Sequence, residues 1–280
     1  SSVGQFVAGT VYSSQTGRGL SMRSRKISCF VISCNEEDRI EACLQSLAGW
    51  VDQLIVVDSG SKDRTVEIAQ KYADKVYQTD WPGFGPQRNR ALAWCEHDWV
   101  LSIDADEVLT PELKVEIYQV LAEPDLDANF IKMPWHTYFF GKLLKHGRYS
   151  TPQGKLFLKT GASFKDRQVH ETLLLPYEKV RVLKSAIIHH SWRSYQHCQE
   201  KHVKYACLGA EDKFARGKKA SLGFAILRFF TDFIQQYVLR LGFLDGWRGL
   251  LMAIVLGQYA FHKYAALATM VADAKAKAKS

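Results

Sequence analysis

No two of the six cysteines (Cys29, Cys34, Cys43, Cys95, Cys198 and Cys207) form a C-x-x-C pair, and each lies singly in an apolar or helical context. Zinc sites need closely spaced thiolates and disulfide-stapled folds need a framework of them, so neither is expected; a reducing compartment is. No G-x-x-x-x-G-K-[ST] run occurs, which excludes an ordinary P-loop kinase or ATPase. Zinc-finger spacing and recognisable RNA-binding motifs are also missing, so no nucleic-acid partner is expected despite a net charge of +8. The first 21 residues are polar, rich in Gly and Ser, and lack the apolar core of a signal peptide. Residues 1–25 are read as a disordered leader or a remnant ahead of Met22. Uninterrupted apolar runs fall short of the about 20 residues that a transmembrane helix needs.

What is present is a globular chain of 280 residues, 47% hydrophobic and 24% charged, long enough to bury a large core. Its 37 basic residues against 29 acidic ones favour an anionic partner: a nucleotide, a phosphorylated glycan or a lipid surface.

From Ile27 onward, strand and helix patterns alternate. "ISCFVIS", "QLIVVD", "KVYQTD" and "DWVLSID" read as strands. Between them, "NEEDRIEACLQSL", "RTVEIAQKYA" and "QRNRALAWCEH" carry helical spacing, with Asn35 as a candidate cap of the first helix. Such alternation predicts an α/β fold with a mostly parallel sheet and ligands at the carboxyl ends of its strands. From about Asn129, "FIKMPWHTYFFGK", "GKLFLKTG" and "VLKSAIIHHS" predict a second β layer. Helices follow from Tyr195. The expected organisation is a catalytic domain over 26–193 and a C-terminal helical region over 194–280.

"DWVLSIDADEVLT" (Asp98 to Thr110) raises a question of chemistry. A buried strand runs straight into Asp104, Asp106 and Glu107. Asp is a poor strand residue, and buried ionised carboxylates are costly unless paired or metal-bound. Asp104-Ala105-Asp106 is able to present two carboxylates to a hard cation such as Mg²⁺ or Mn²⁺, which favours oxygen ligands and shares them with phosphates. Alternatively, Asp106 or Thr110 caps the helix that begins at Pro111.

"VISCNEEDRIEACLQSL", "LIVVDSGSKDRTVEIA", "GFGPQRNRAL" and "DWVLSIDADEVLT" together resemble, in order and spacing, the inverting glycosyltransferases of family 2 with the GT-A fold. More narrowly, "VHE" at Val169 to Glu171 and "LGFLDGWRGLLMA" at Leu241 to Ala253 look like the lipopolysaccharide-core β-1,4-glucosyltransferase branch. The resemblance implies a metal-dependent transfer of a sugar, expected to be glucose from UDP-glucose, onto an inner-core heptose. It implies that Ser33, Asn35, Glu36 and Asp58 line the uridine pocket, and that Arg88 and Asn89 contact the nucleotide. Asp104 is then placed near ribose and metal, with Asp106 as the main ligand of Mn²⁺ or Mg²⁺. Inverting transfer also needs a base for the acceptor hydroxyl. Glu171 is favoured, with Asp166 and His170 as the other candidates. One of His189 and His190, which end an apolar strand on alternating faces, is expected to be structural. Other readings keep the fold with a polyprenyl phosphate, protein or other glycan acceptor, or make the chain a non-catalytic sugar-nucleotide-binding module.

In Leu222 to Leu241, apolar residues recur in one wide helical stripe that excludes Arg228, Asp232, Gln235, Gln236 and Arg240. This stripe is expected either to pack on the protein or to lie on a membrane, with Lys213, Arg216, Lys218 and Lys219 toward anionic head groups. A lipid-linked acceptor and a peripheral position on the cytoplasmic face of the inner membrane go with the second option.

Overall fold

The computed structural model describes residues 25–165 and 172–277. Its first half alternates as the pattern predicts: β1 (Ile27–Ser33), α1 (Ile40–Leu47), β2 (Gln53–Asp58), α2 (Thr65–Ala69), β3 (Lys75–Gln78), α3 (Phe84–Trp94) and β4 (Trp99–Asp104). Then come β5 (Glu107–Leu109), α4 (Pro111–Ala122), β6 (Phe130–Phe139), β7 (Lys142–Leu143), β8 (Pro152–Leu158), β9 (Ser163–Phe164), β10 (Leu173–Leu174), β11 (Val180–Val182) and β12 (Ile187–His189). Three long helices close the described chain: α5 (Tyr195–Ala215), α6 (Leu222–Ile234) and α7 (Trp247–Lys277).

The first four strands are parallel, in the order β3-β2-β1-β4. β1 and β2 are buried along their whole length, which explains why they are largely apolar with no regular polar alternation. Beyond β4 the sheet turns mixed: β8 is antiparallel to both β4 and β6, and the order continues β8-β6-β12-β5. The strands after Asn129 therefore do not build a second layer. Apart from the separate β9–β10 pair, they extend the same ten-stranded sheet, because β4 offers an open edge to β8. Ile27, Cys29, Val31, Leu54, Val56, Leu101 and Ile103 pack against α1 and α4 on one face, while Phe30, Ile55, Val57, Val100 and Phe157 pack under α3 on the other.

Some local expectations shift. Asn35 does not cap α1; it adopts a left-handed φ of 55° in the turn after β1, and its Oδ1 accepts from the Lys62 N–H at 2.9 Å. α3 starts at Phe84, so Pro86 falls in the first turn, where its missing N–H leaves no bond unmade. Thr110, not Asp106, caps α4, accepting from the Leu113 N–H. α6 ends at Ile234 in a π-helical turn over Gln235–Leu239, and Leu241 is left-handed.

α7 is one helix of 31 residues, long and apolar enough by composition to cross a membrane, contrary to the expectation from uninterrupted runs. However, 44% of its most apolar window is buried inside the protein. It packs with α5 on the β6–β7 hairpin through Phe139, Leu144, Cys198, Met252, Val255 and Leu256.

Candidate active site

β1, β2 and β4 are parallel and end together, at Ser33, Asp58 and Asp104. Their carboxyl ends thus gather most of the residues singled out in the sequence.

Asp58 is 1% exposed and organises the loop that follows it. Its Oδ1 accepts from the Gly60 and Ser61 N–H groups, and its Oδ2 from the hydroxyls of Ser61 and Ser33. Both oxygens are occupied by this turn. Asn35 continues the same network, its N–H donating to Ser61 Oγ at 2.8 Å. Glu36 Oε2 accepts from Arg39 Nε and Arg193 Nη2, so two guanidiniums meet one carboxylate.

Asp104 stands between two buried cations. Arg88 Nη2 lies 2.5 Å from Oδ1 and Lys155 Nζ 2.8 Å from Oδ2. Burial alone would raise the Asp104 pKa, but these cations hold it well below the usual carboxylate range. Arg88 also donates to Ser102 Oγ and lies over the Phe164 ring. Asn89, expected at the nucleotide, makes a two-point clamp on the Phe164 backbone at 2.8 and 2.7 Å. Glu107 is fully buried: Oε2 accepts from the Asp104 N–H and meets Lys155, and Oε1 accepts from Trp135 Nε1. Burial raises its pKa and the Asp104 charge adds to that, while Lys155 opposes.

Asp106 is arranged differently. Its Oδ2 is ringed by His189 Nε2 at 3.6 Å, Arg39 Nη1 at 3.8 Å and Lys201 Nζ at 3.9 Å, all longer than a direct hydrogen bond. Despite burial, His189 foremost holds its pKa well below the usual range. Beside it lies a cavity of about 340 Å³ lined by Asp38, Arg39, Asp106, His190, Trp192 and Arg193, among others.

These positions decide what cation the site suits. No group of three His, Cys, Asp or Glu able to hold a metal occurs among the described residues. Both Asp104 oxygens already face cations, which leaves Asp106 as the carboxylate with looser partners. A hard divalent ion that keeps its waters and shares phosphate oxygens needs only one or two carboxylates. The residues therefore fit an ion that arrives with a nucleotide diphosphate.

Asp166, His170 and Glu171 lie outside the described residues. Of the histidine pair, His189 is buried, stacked on Trp135 at 4.3 Å, and turned toward Asp106; His190 is exposed. Sequence reasoning missed Lys155, Arg39, Arg193 and Lys201. The last two belong to or border the C-terminal helical region, which therefore contributes to the site. Nothing local in the sequence pointed to this, since α5 carries as many acidic as basic residues.

The Glycosyl transferase family 2 sequence model matches residues 28–177. An uncharacterized glycosyltransferase of Rickettsia bellii is 30% identical over 263 residues, covering 88% of this chain and 86% of that one. The lipopolysaccharide core biosynthesis glycosyltransferase LpsC of Rhizobium meliloti is 28% identical over 247 residues, covering 84% and 89%. Among solved structures, Mycobacterium tuberculosis glucosyl-3-phosphoglycerate synthase, in complex with Mn²⁺, UDP and glucosyl-3-phosphoglycerate, is 30% identical at a TM-score of 0.35, covering 40% of this chain and 44% of that one. S. aureus TarS is 21% identical at a TM-score of 0.45, covering 65% and 39%. The family match takes in β1, β2 and β4 and every carboxylate at their ends, and with it the chain belongs to glycosyltransferase family 2, as a glycosyltransferase of α/β, GT-A-type fold.

Proposed function

We propose that the protein is an inverting, divalent-metal-dependent transferase that moves glucose from UDP-glucose to a heptose of the lipopolysaccharide inner core. The observation that carries this reading is the division of labour between Asp104 and Asp106. Asp104 is fixed by Arg88 and Lys155, while Asp106, two residues on, has among the described residues no cationic partner closer than 3.6 Å. In this reading Asp106 holds Mn²⁺ or Mg²⁺ together with the nucleotide diphosphate, and the ion supplies charge neutralisation for the departing group. Ser33, Asn35, Glu36 and the loop braced by Asp58 form the uridine wall. Arg88 and Asn89 act one step back, orienting Asp104 toward the ribose and holding Phe164 beneath it. Glu171 takes the acceptor proton, with Asp166 and His170 as the alternatives.

The acceptor assignment is supported by the similarity to LpsC along most of both chains. It is also supported by the cavity beside Asp106, which joins the indole of Trp192 to Arg39 and Arg193. An aromatic face and guanidiniums suit a sugar ring that carries anionic substituents. A lipid-anchored acceptor places the reaction at the cytoplasmic face of the inner membrane. The test is transfer by purified protein from UDP-glucose, UDP-galactose and UDP-N-acetylglucosamine to heptose-terminated core oligosaccharide, with and without EDTA. The reading expects an EDTA-sensitive glucosylated heptose. Transfer only to polyprenyl phosphate or peptide acceptors would move the assignment elsewhere in the family.

A further inference from the structure

α6 is sorted the wrong way round for a helix whose outside meets only water. Leu222, Ile226, Phe230, Ile234 and Val238 recur every four residues and are 46–59% exposed. The opposite row, Arg228, Asp232 and Gln236, turns toward the protein. Arg228 pairs with Asp232 at 2.7 Å and lies over the Tyr264 ring of α7, and Gln236 is 4% exposed, accepting from the Arg148 N–H at 2.9 Å.

The apolar face is held in place. Gly257 of α7 lets Phe229 approach so closely that an added Cβ would stand 3.0 Å from its ring. The turn after α6 is tied down as the Gly147 N–H donates to the Arg240 carbonyl and the Lys145 and His146 N–H groups donate to Asp245. The face continues through Leu239 and Trp247, 73% and 57% exposed. More than half of the exposed large apolar side chains among the described residues fall within 222–250. A contiguous patch of this kind marks an interaction surface.

Charge selects the occupant. Lys218 and Lys219 precede the start of α6 and Lys213 lies in the last turn of α5, while Arg240 and Arg248 stand at the other end of the face. Two-fold pairing of this face with a second copy would set basic end against basic end in either direction, which opposes association. An anionic bilayer suits both parts: apolar side chains enter the acyl boundary while basic ones meet head groups.

We propose that α6 and the turn leading into α7 insert as one apolar face into a single leaflet of an anionic membrane, so that the protein is held by burial as well as by charge. This extends the reading of a lipid-carried acceptor, but its test uses no acceptor. The probe is vesicles of phosphatidylcholine and phosphatidylglycerol with brominated acyl chains, which quench tryptophan that enters them. Quenching should persist in about 0.5 M NaCl, where charge interactions are screened within a few ångström, and should be largely lost in Trp247→Phe. Leu227→Glu with Leu239→Glu, both changes at exposed positions, should weaken vesicle binding at least about tenfold. Turnover on a delipidated core oligosaccharide should stay unchanged. Wild-type binding that salt abolishes, unchanged binding by the double variant, or a stable dimer without vesicle binding would each overturn insertion. Quenching without turnover on any acceptor would overturn the transfer reading instead and leave insertion standing.

Discussion

The ammonium of Lys155 lies 2.8 Å from Oε2 of Glu107, with their side chains only 9% and 0% exposed. The same nitrogen lies 2.8 Å from Asp104, so one lysine on β8 fixes two carboxylates, one at the end of β4 and one at the start of β5. Lys155→Met would leave Glu107 uncompensated in the interior. Breaking a buried pair from one side costs about 3–5 kcal/mol, whereas removing both partners is far milder. Urea unfolding should show that loss for Lys155→Met and a partial recovery in Lys155→Met with Glu107→Gln. A loss below about 1 kcal/mol would mean the pair is not a structural support.

Acid should destabilise the protein through Asp104 and Asp106. Both are held well below the usual carboxylate range, by Arg88 and Lys155 in one case and mainly by His189 in the other, despite burial. A group depressed in the folded state contributes stability above its unfolded pKa of about 3.9, and that contribution is lost as pH falls toward the folded value. Glu107, raised by burial, works with the opposite sign and favours the folded state at lower pH. With two depressed groups against one raised group, the urea midpoint should drop below about pH 5. Asp106→Asn should make the drop shallower. Parallel profiles would remove Asp106 from this account.

Asp106→Asn also tests the proposed metal role. It removes charge with little change of volume. Loss of a preorganised electrostatic contact of this kind commonly costs about 10²–10³ in turnover. Calorimetry should show weakened Mn²⁺ binding in the presence of UDP, and circular dichroism an intact fold with a lower melting midpoint. Undiminished Mn²⁺-supported transfer would move the ion to other ligands.

How much of this was legible depends on whether the signal was local. β1, β2 and β4 announced themselves because a strand buried on both faces must be apolar throughout, and their terminal carboxylates stood out against that background. Lys155 did not, because a lysine in "GKLFLKTG" looks solvated until β8 is known to pair with β4, bringing it to an aspartate 51 positions away. Arg193 and Lys201 were hidden for the same reason. Asp58 was legible as a site-end residue, but which atoms its oxygens serve depends on the fold of the following loop. For α6, periodicity revealed the stripe, yet no pattern in one helix says which side its neighbours cover. Arg228, Asp232 and Gln236 were legible only as lying outside the stripe; the contacts show that they turn inward.

Glu171→Gln should separate catalysis from donor binding. The base acts on the acceptor's proton, so UDP-glucose affinity should be preserved while turnover falls by about 10²–10⁴. Asp166→Asn and His170→Gln serve as the parallel arms. If Asp166→Asn alone shows that pattern, the base lies five residues earlier than proposed.

Asp58 offers a choice between two ways of serving the uridine pocket. If its charge contacts the uracil ring, then Asp58→Asn and Asp58→Ala should weaken UDP binding alike. The hydrogen bonds favour an indirect role, because the four it accepts among the described residues come from its own turn or from Ser33. In Asp58→Asn, Oδ1 still accepts from the Gly60 and Ser61 N–H groups, and the amide is able to donate to the serine hydroxyls. That variant should bind UDP within about threefold of wild type. Asp58→Ala removes four bonds worth about 1 kcal/mol each, and even a third of that sum carried into binding is about a tenfold loss of affinity. Calorimetry with UDP on both variants decides between the roles. Equal and large losses would put the carboxylate on the base itself, and no loss in either would take Asp58 out of the pocket.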